Sequence, residues 1–104
     1  MSLQQFVSVT SDGKIWHAIR NATDGSWTRF GDVKAATGTD PGQFTSVACA
    51  SSDEGLHVSG STTDGKMWHA IRNATNGSWT PLRDVKAATG SDPGQIVAVG
   101  MGYL

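Results

Sequence analysis

The chain repeats itself. Asp12-Gly13-Lys14-Ile15-Trp16-His17-Ala18-Ile19-Arg20-Asn21-Ala22-Thr23 recurs 52 residues later as Asp64-Gly65-Lys66-Met67-Trp68-His69-Ala70-Ile71-Arg72-Asn73-Ala74-Thr75. Of the 32 positions from 12 to 43, 26 are identical to their mates at this offset, and two periods account for all 104 residues. Such a chain has to fold as two copies of one supersecondary unit, each burying a face against its neighbour, and a unit near 50 residues is the size of a propeller blade. The repeats are 1–52 and 53–104 of a single domain, because about a hundred residues support one core.

Alternation of apolar and polar residues predicts four strands per repeat: A from Phe44 to Ala50, B from Leu56 to Thr62, C from Lys66 to Arg72 and D from Trp79 to Val85. Asp12-Gly13 and Asp64-Gly65 supply the positive φ of a two-residue hairpin turn, so B pairs with C. Asn21 to Ser26 and Asn73 to Ser78 are Asn/Thr/Gly/Ser clusters that form the C-to-D loop. Pro81 has no N–H to donate, which confines D to the outer edge of its sheet. Asp-Pro-Gly at 40–42 and again at 92–94 turns the chain from D into the next A. Thirteen Gly, and four Trp against one Tyr, fit the same turn-rich all-β chain. No helix is expected.

Gln4 to Thr10 is a B strand, so the order along the chain is B-C-D, A-B-C-D, A. The first blade lacks its A strand, and Gln95 to Gly102 is an A strand without a blade. The expected fold is an all-β β-propeller of four-stranded antiparallel blades, two per chain and one of them split, completed by oligomerisation. The orphan A of one copy adds to the B strand of another. Three chains would give six blades and four would give eight, both within the range of propellers; a homotrimer is expected, with a tetramer as the alternative.

Eight Lys+Arg against nine Asp+Glu leave a net charge of −1 and no basic face for nucleic acid or anionic lipid. The lone Cys49 excludes an internal disulfide, and three His with one Cys are too few for a closed zinc site. Neither metal nor cofactor is expected. The start, Met1 to Gln5, shows no charged segment followed by an apolar run, and there is no long apolar stretch, so no signal peptide or membrane span is expected. The compartment is left open.

A six-residue loop that closes the C–D hairpin symmetrically sets Arg20 opposite Trp27 and Arg72 opposite Trp79. An indole for a sugar's C–H face, with the guanidinium and the loop amides Asn21 and Asn73 for its hydroxyls, composes a monosaccharide site. The same pair also fits a cation–π latch on the hairpin. Trp16 and Trp68 lie in the middle of strand C and fit the core between blades, with a ligand-binding role as the alternative. In this register Trp16 faces Gly31 and Trp68 faces Arg83, so the two blades need not be equivalent. His17 and His69 fall on the opposite face with Ile15, Ile19, Met67 and Ile71, as hydrogen-bonded core residues or as sugar or metal ligands. Carboxylates recur as turn formers, Asp12 and Asp64 among them, and nothing diverges into a site unique to one repeat. No catalytic residue is therefore expected.

Ser11 to Ala22, then Gly25-Ser26-Trp27-Thr28, Gly31-Asp32-Val33-Lys34 and Asp40-Pro41-Gly42 resemble the repeat of the PLL-type bacterial β-propeller lectins, relatives of the tectonin repeats. The likeness covers both periods. It implies a propeller that binds fucose-like or methylated sugars in pockets between blades, so glycans are the expected partners and multivalent carbohydrate binding the expected function. Weak sites then gain from avidity. The alternative is a structural or engineered blade pair with no ligand, and a glycosidase-like enzyme ranks behind both.

Overall fold

The structure is a computed structural model that describes residues 3–102. It is mostly β and follows the repeat. Strands β1 (Leu3–Val9) and β2 (Ile15–Asn21) form a hairpin to which β3 (Gly31–Asp32) adds, and helix α1 (Val33–Thr37) follows. The end of the first repeat, β4 (Phe44–Ser52), joins β5 (Gly55–Thr62), β6 (Met67–Asn73) and β7 (Arg83–Asp84) of the second in a four-stranded sheet, and helix α2 (Val85–Thr89) follows. All pairings are antiparallel between chain neighbours. The expected strands A, B and C of the second repeat are β4, β5 and β6, and B of the first is β1. Residues 95–102, the orphan A, form no strand within the chain.

The B–C turn is one residue longer than expected. Thr10 N donates to Lys14 O at 3.1 Å and Gly13 N to Thr10 O at 2.8 Å, which leaves Ser11-Asp12-Gly13 as a three-residue loop with Gly13 at φ +82°. Hairpin loops of three residues end on a left-handed residue, which explains the glycine as well as a two-residue turn would. Thr63-Asp64-Gly65 repeats the arrangement, with Gly65 at φ +83°.

Two helices form where none was expected. Asp32 and Asp84 cap them, each accepting from a backbone N–H three residues on (Ala35 and Ala87, both 3.2 Å), and Gly38 and Gly90 close them at φ +68° and +71°. Five residues are too few for a helical period to show, but an Asp cap and a left-handed Gly framing Val-Lys-Ala-Ala-Thr are the two end signals a short helix needs. Asp32→Ala is expected to cost about 1 kcal/mol of stability, read as a lower urea midpoint.

The helices shorten strand D, expected over Trp79 to Val85. It pairs only at its ends: Trp79 bridges Arg72, and Arg83–Asp84 pairs with Trp68–His69. Next to the bridge, Thr80 N donates to Ile71 O, while Ile71 N donates to the Thr80 hydroxyl instead of a strand carbonyl, both at 2.9 Å. Beyond this point the ladder slips by one residue. Trp16 therefore faces Asp32 and not Gly31, and Trp68 faces Asp84 and not Arg83. Both indoles oppose an aspartate, so the expected inequivalence at this position does not arise. Pro81 sits in the unpaired stretch, where no ladder bond is asked of it.

The core lies between the two sheets. Ile15 and Val33 beside the three-stranded sheet meet Phe44, Ala70 and Leu82 of the four-stranded side, surrounded by Val9, Val47, Trp68 and Trp79. Phe44 lies over Gly60, where a Cβ would come within 2.6 Å of the ring. Phe44 N is anchored on Gly13 O at 3.0 Å, and the equivalent Ile96 N on Gly65 O at 2.9 Å. The second anchor leads into a segment that has no sheet to join.

Candidate functional site

The rim pairs are placed as expected: Arg20 bridges Trp27, and Arg72 bridges Trp79. Asn21 and Asn73 open the following loops, and their side-chain carbonyls accept from Thr23 N (2.9 Å) and Thr75 N (2.8 Å). That leaves the amide Nδ2 as the donor each can offer a ligand. The two indoles differ in surroundings. Trp27 is 57% exposed and tilts against Phe6, ring centroids 5.0 Å apart, whereas Trp79 packs on the core and meets the His17 ring edge-on at 5.6 Å. Neither forms the cation–π latch. The cation–π contacts among the described residues are Lys14 over Trp16 and Lys34 over Phe44, and Arg20 Nη1 donates instead to Gln4 Oε1 at 2.8 Å.

Beside Trp79 opens a cavity of about 410 Å³ lined by Glu54, Ile71, Asn73, Ser78, Trp79 and Thr80. It combines an apolar ring with a carboxylate acceptor, an amide and two hydroxyls. Glu54 was not among the expected residues. It sits in the tight β4–β5 turn, a place that repeat comparison passes over because its mate at position 2 is a serine.

Trp16 and Trp68 are tied into the B–C turns. Trp16 Nε1 donates to the Thr10 hydroxyl at 2.9 Å, which donates to Asp12 Oδ1 at 2.5 Å; Trp68, Thr62 and Asp64 repeat the relay at 3.0 and 2.6 Å. The threonine hydroxyls hold both aspartates below the usual carboxylate range, so they remain ionised acceptors. Trp68 belongs to the core, but Trp16 borders a cavity of about 250 Å³ with Ser8, Thr10 and Phe30.

The histidines break the repeat. His17 Nε2 bonds Gln5 Oε1 at 2.7 Å, but at the position equivalent to Gln5 the second repeat has His57. Its Nδ1 lies 2.9 Å from His69 Nε2 with the rings stacked, and its Nε2 lies 2.8 Å from Ser52 Oγ and 3.4 Å from Glu54 Oε1. The expectation that nothing is unique to one repeat therefore fails, and a count of three His with two in register was the legible signal. The hydroxyl–imidazole–imidazole run can pass or share a proton. Ser59 Oγ, buried without a hydrogen-bond partner, opens with His69 on a further cavity of about 370 Å³. Among the described residues no cluster of three His, Cys, Asp or Glu could hold a metal, and no helix is long and apolar enough to cross a membrane.

Burial pushes the His17 and His69 rings below their ordinary pKa of about 6.5, assisted by the Arg72 charge at His17 and the His57 charge at His69, where Glu54 opposes. The folded chain then binds fewer protons than the unfolded one in the window below pH 6.5. The stabilisation is complete above that value and is lost as pH falls through the folded pKa values. The urea midpoint is expected to drop between pH 8 and pH 5, a range above the carboxylate titrations. His57→Gln, which copies the Gln5–His17 pair, should shrink the drop; an unchanged midpoint across the range would show that the rings are not held neutral.

No family model, no curated protein and no solved structure matches this chain.

Proposed function

We propose that the chain is a two-blade unit of a β-propeller that binds carbohydrate without catalysing a reaction on it, recognising fucose-like or methylated sugars. The observation that carries this reading is the Trp79 cavity, in which one indole, Asn73, Glu54, Ser78 and Thr80 line a space large enough for one monosaccharide. Carbohydrate recognition needs that mixture: the ring covers the C–H face, while the polar groups satisfy hydroxyls that would otherwise lose their water. The Arg–Trp bridge recurs in the first repeat, which supports multivalent binding, with weak single sites strengthened by avidity. The resemblance to the PLL-type repeat supplies the sugar class.

A scaffold without ligand is the second reading, and the packing of Trp79 on the core and on His17 favours it. A glycan array followed by isothermal titration separates the two. Binding to fucosylated or methylated sugars is expected, and no binding to any fucosylated, galactosylated or methylated glycan would sink the lectin reading.

A further inference from the structure

We propose that the 104-residue chain assembles head-to-tail with second copies of itself through a junction that repeats, residue for residue at an offset of 52, the packing between its own two sheets. This assembly rests on the two-blade part of the functional reading but does not depend on a bound sugar.

The template is the interface already inside the chain. There the first repeat presents Ile15 and Val33, the second presents Trp68, Trp79 and Leu82, and Phe44 fills the space between. Moving each residue 52 positions names the two faces that remain uncovered. On the second repeat these are Met67, Val85 and Ile96, all half-buried, and on the first the half-buried Trp16 with the exposed Trp27 and Phe30. In the complete junction Leu82 is 6% exposed, while its counterpart Phe30 is 66% exposed. Both uncovered faces also carry open space. The cavity of about 250 Å³ at Ser8, Thr10, Trp16 and Phe30 lies where Phe44 lies on the four-stranded sheet, and it matches the position of a partner's Ile96. The cavity of about 370 Å³ at Met67, His69, Val85 and Ala88 lies on the opposite end of the chain. Each is half of one junction. Apolar surface of this kind, together with an unpaired strand edge, is what association buries.

The strand ladder fixes the register. In the complete sheet Phe44 pairs with Thr62, Ser46 with Ser61, Val47 with Gly60 and Cys49 with Val58, with an irregularity at Thr45. The free edge of β1 and the unpaired segment 95–102 therefore pair between copies as Ile96 with Thr10, Ala98 with Val9, Val99 with Ser8 and Met101 with Phe6, with Val97, 79% exposed in the chain, at the irregular position. The His17–Trp79 contact becomes His69 against the partner's Trp27. The bond from Leu82 N to Thr39 Oγ1, 3.0 Å within the chain, becomes Phe30 N of one copy to Ser91 Oγ of the next. The contact joins unlike surfaces, so it propagates and closes into a ring when the rotation per chain divides a full turn.

Light scattering on the unmodified chain should give the mass of two or more chains of 10.9 kDa each; the mass of one chain overturns the proposal. The register is tested in a Cys49→Ala background by mixing a Val99→Cys chain with a Ser8→Cys chain and oxidising. Disulfide-linked dimers are expected, at least about tenfold more than from Val99→Cys mixed with Val9→Cys, the neighbouring register in which side chains fall on opposite faces. Equal yields overturn the register. Phe30→Asp should leave the circular dichroism of the sheets intact and reduce the particle to one chain, and Ile96→Asp on the unpaired segment should do the same; assembly that survives both overturns the junction. Assembly without sugar binding would leave this inference standing and remove the functional reading, and sugar binding by a single chain would do the reverse.

Discussion

Phe44→Ala should lower the free energy of unfolding by about 3 to 5 kcal/mol, a large part of what holds a domain of this size together. Phe44 is 3% exposed and is shared by both repeats: its strand belongs to the second sheet, while its ring joins the cluster formed with Ile15 and Val33 of the first. Truncation removes the ring's burial and leaves a void that Gly60, lacking a side chain, does nothing to fill. Urea unfolding followed by tryptophan fluorescence measures the loss. A change below about 1 kcal/mol, the range of an ordinary surface substitution, would show that the two sheets do not share this core. The equivalent Ile96→Ala should leave the stability of a single chain nearly unchanged, because the segment that carries it has no sheet partner there.

Replacing Trp27 and Trp79 together by Ala should weaken sugar binding by at least about 30-fold, or about 2 kcal/mol, the loss typical of a central aromatic anchor. Trp79 also packs on the core, so the double variant must be shown to remain folded at the temperature of titration. Trp27→Ala gives the cleaner comparison, since that ring is mostly in solvent. Full affinity in a folded double variant would exclude the two indoles as the binding surface.

The parts legible in the sequence are those decided by contacts within a few residues. The place of the Asp-Gly turns, though not their three-residue length, the alternation in β5 and β6 and the opposition of Arg20 to Trp27 all follow from side-chain period and loop length. The short helices were legible in principle, because Asp32 and Gly38 mark their ends, but five residues carry no helical period and strand alternation runs straight through them. The slip that turns Trp16 from Gly31 to Asp32 was not legible. It follows the Thr28 hydroxyl taking the place of a backbone carbonyl at Ile19 N, at 2.9 Å, a local exchange of acceptors that no pattern of apolar residues encodes.

The repeat by itself determined that the chain consists of two like units and that arginine and tryptophan meet on each hairpin. Only the tertiary structure decided which face of each unit packs on the other, and with it the different fates of equivalent residues. Trp79 is half-buried and Trp27 exposed, Leu82 buried and Phe30 open, although each pair occupies the same place in its repeat. The tertiary structure also brought His57 onto His69 and Ser52, three residues from three strands with no sequence spacing in common. The physical reason is the same in both cases: the period of a strand says which side chains share a face, but burial and hydrogen bonding depend on what lies across from that face.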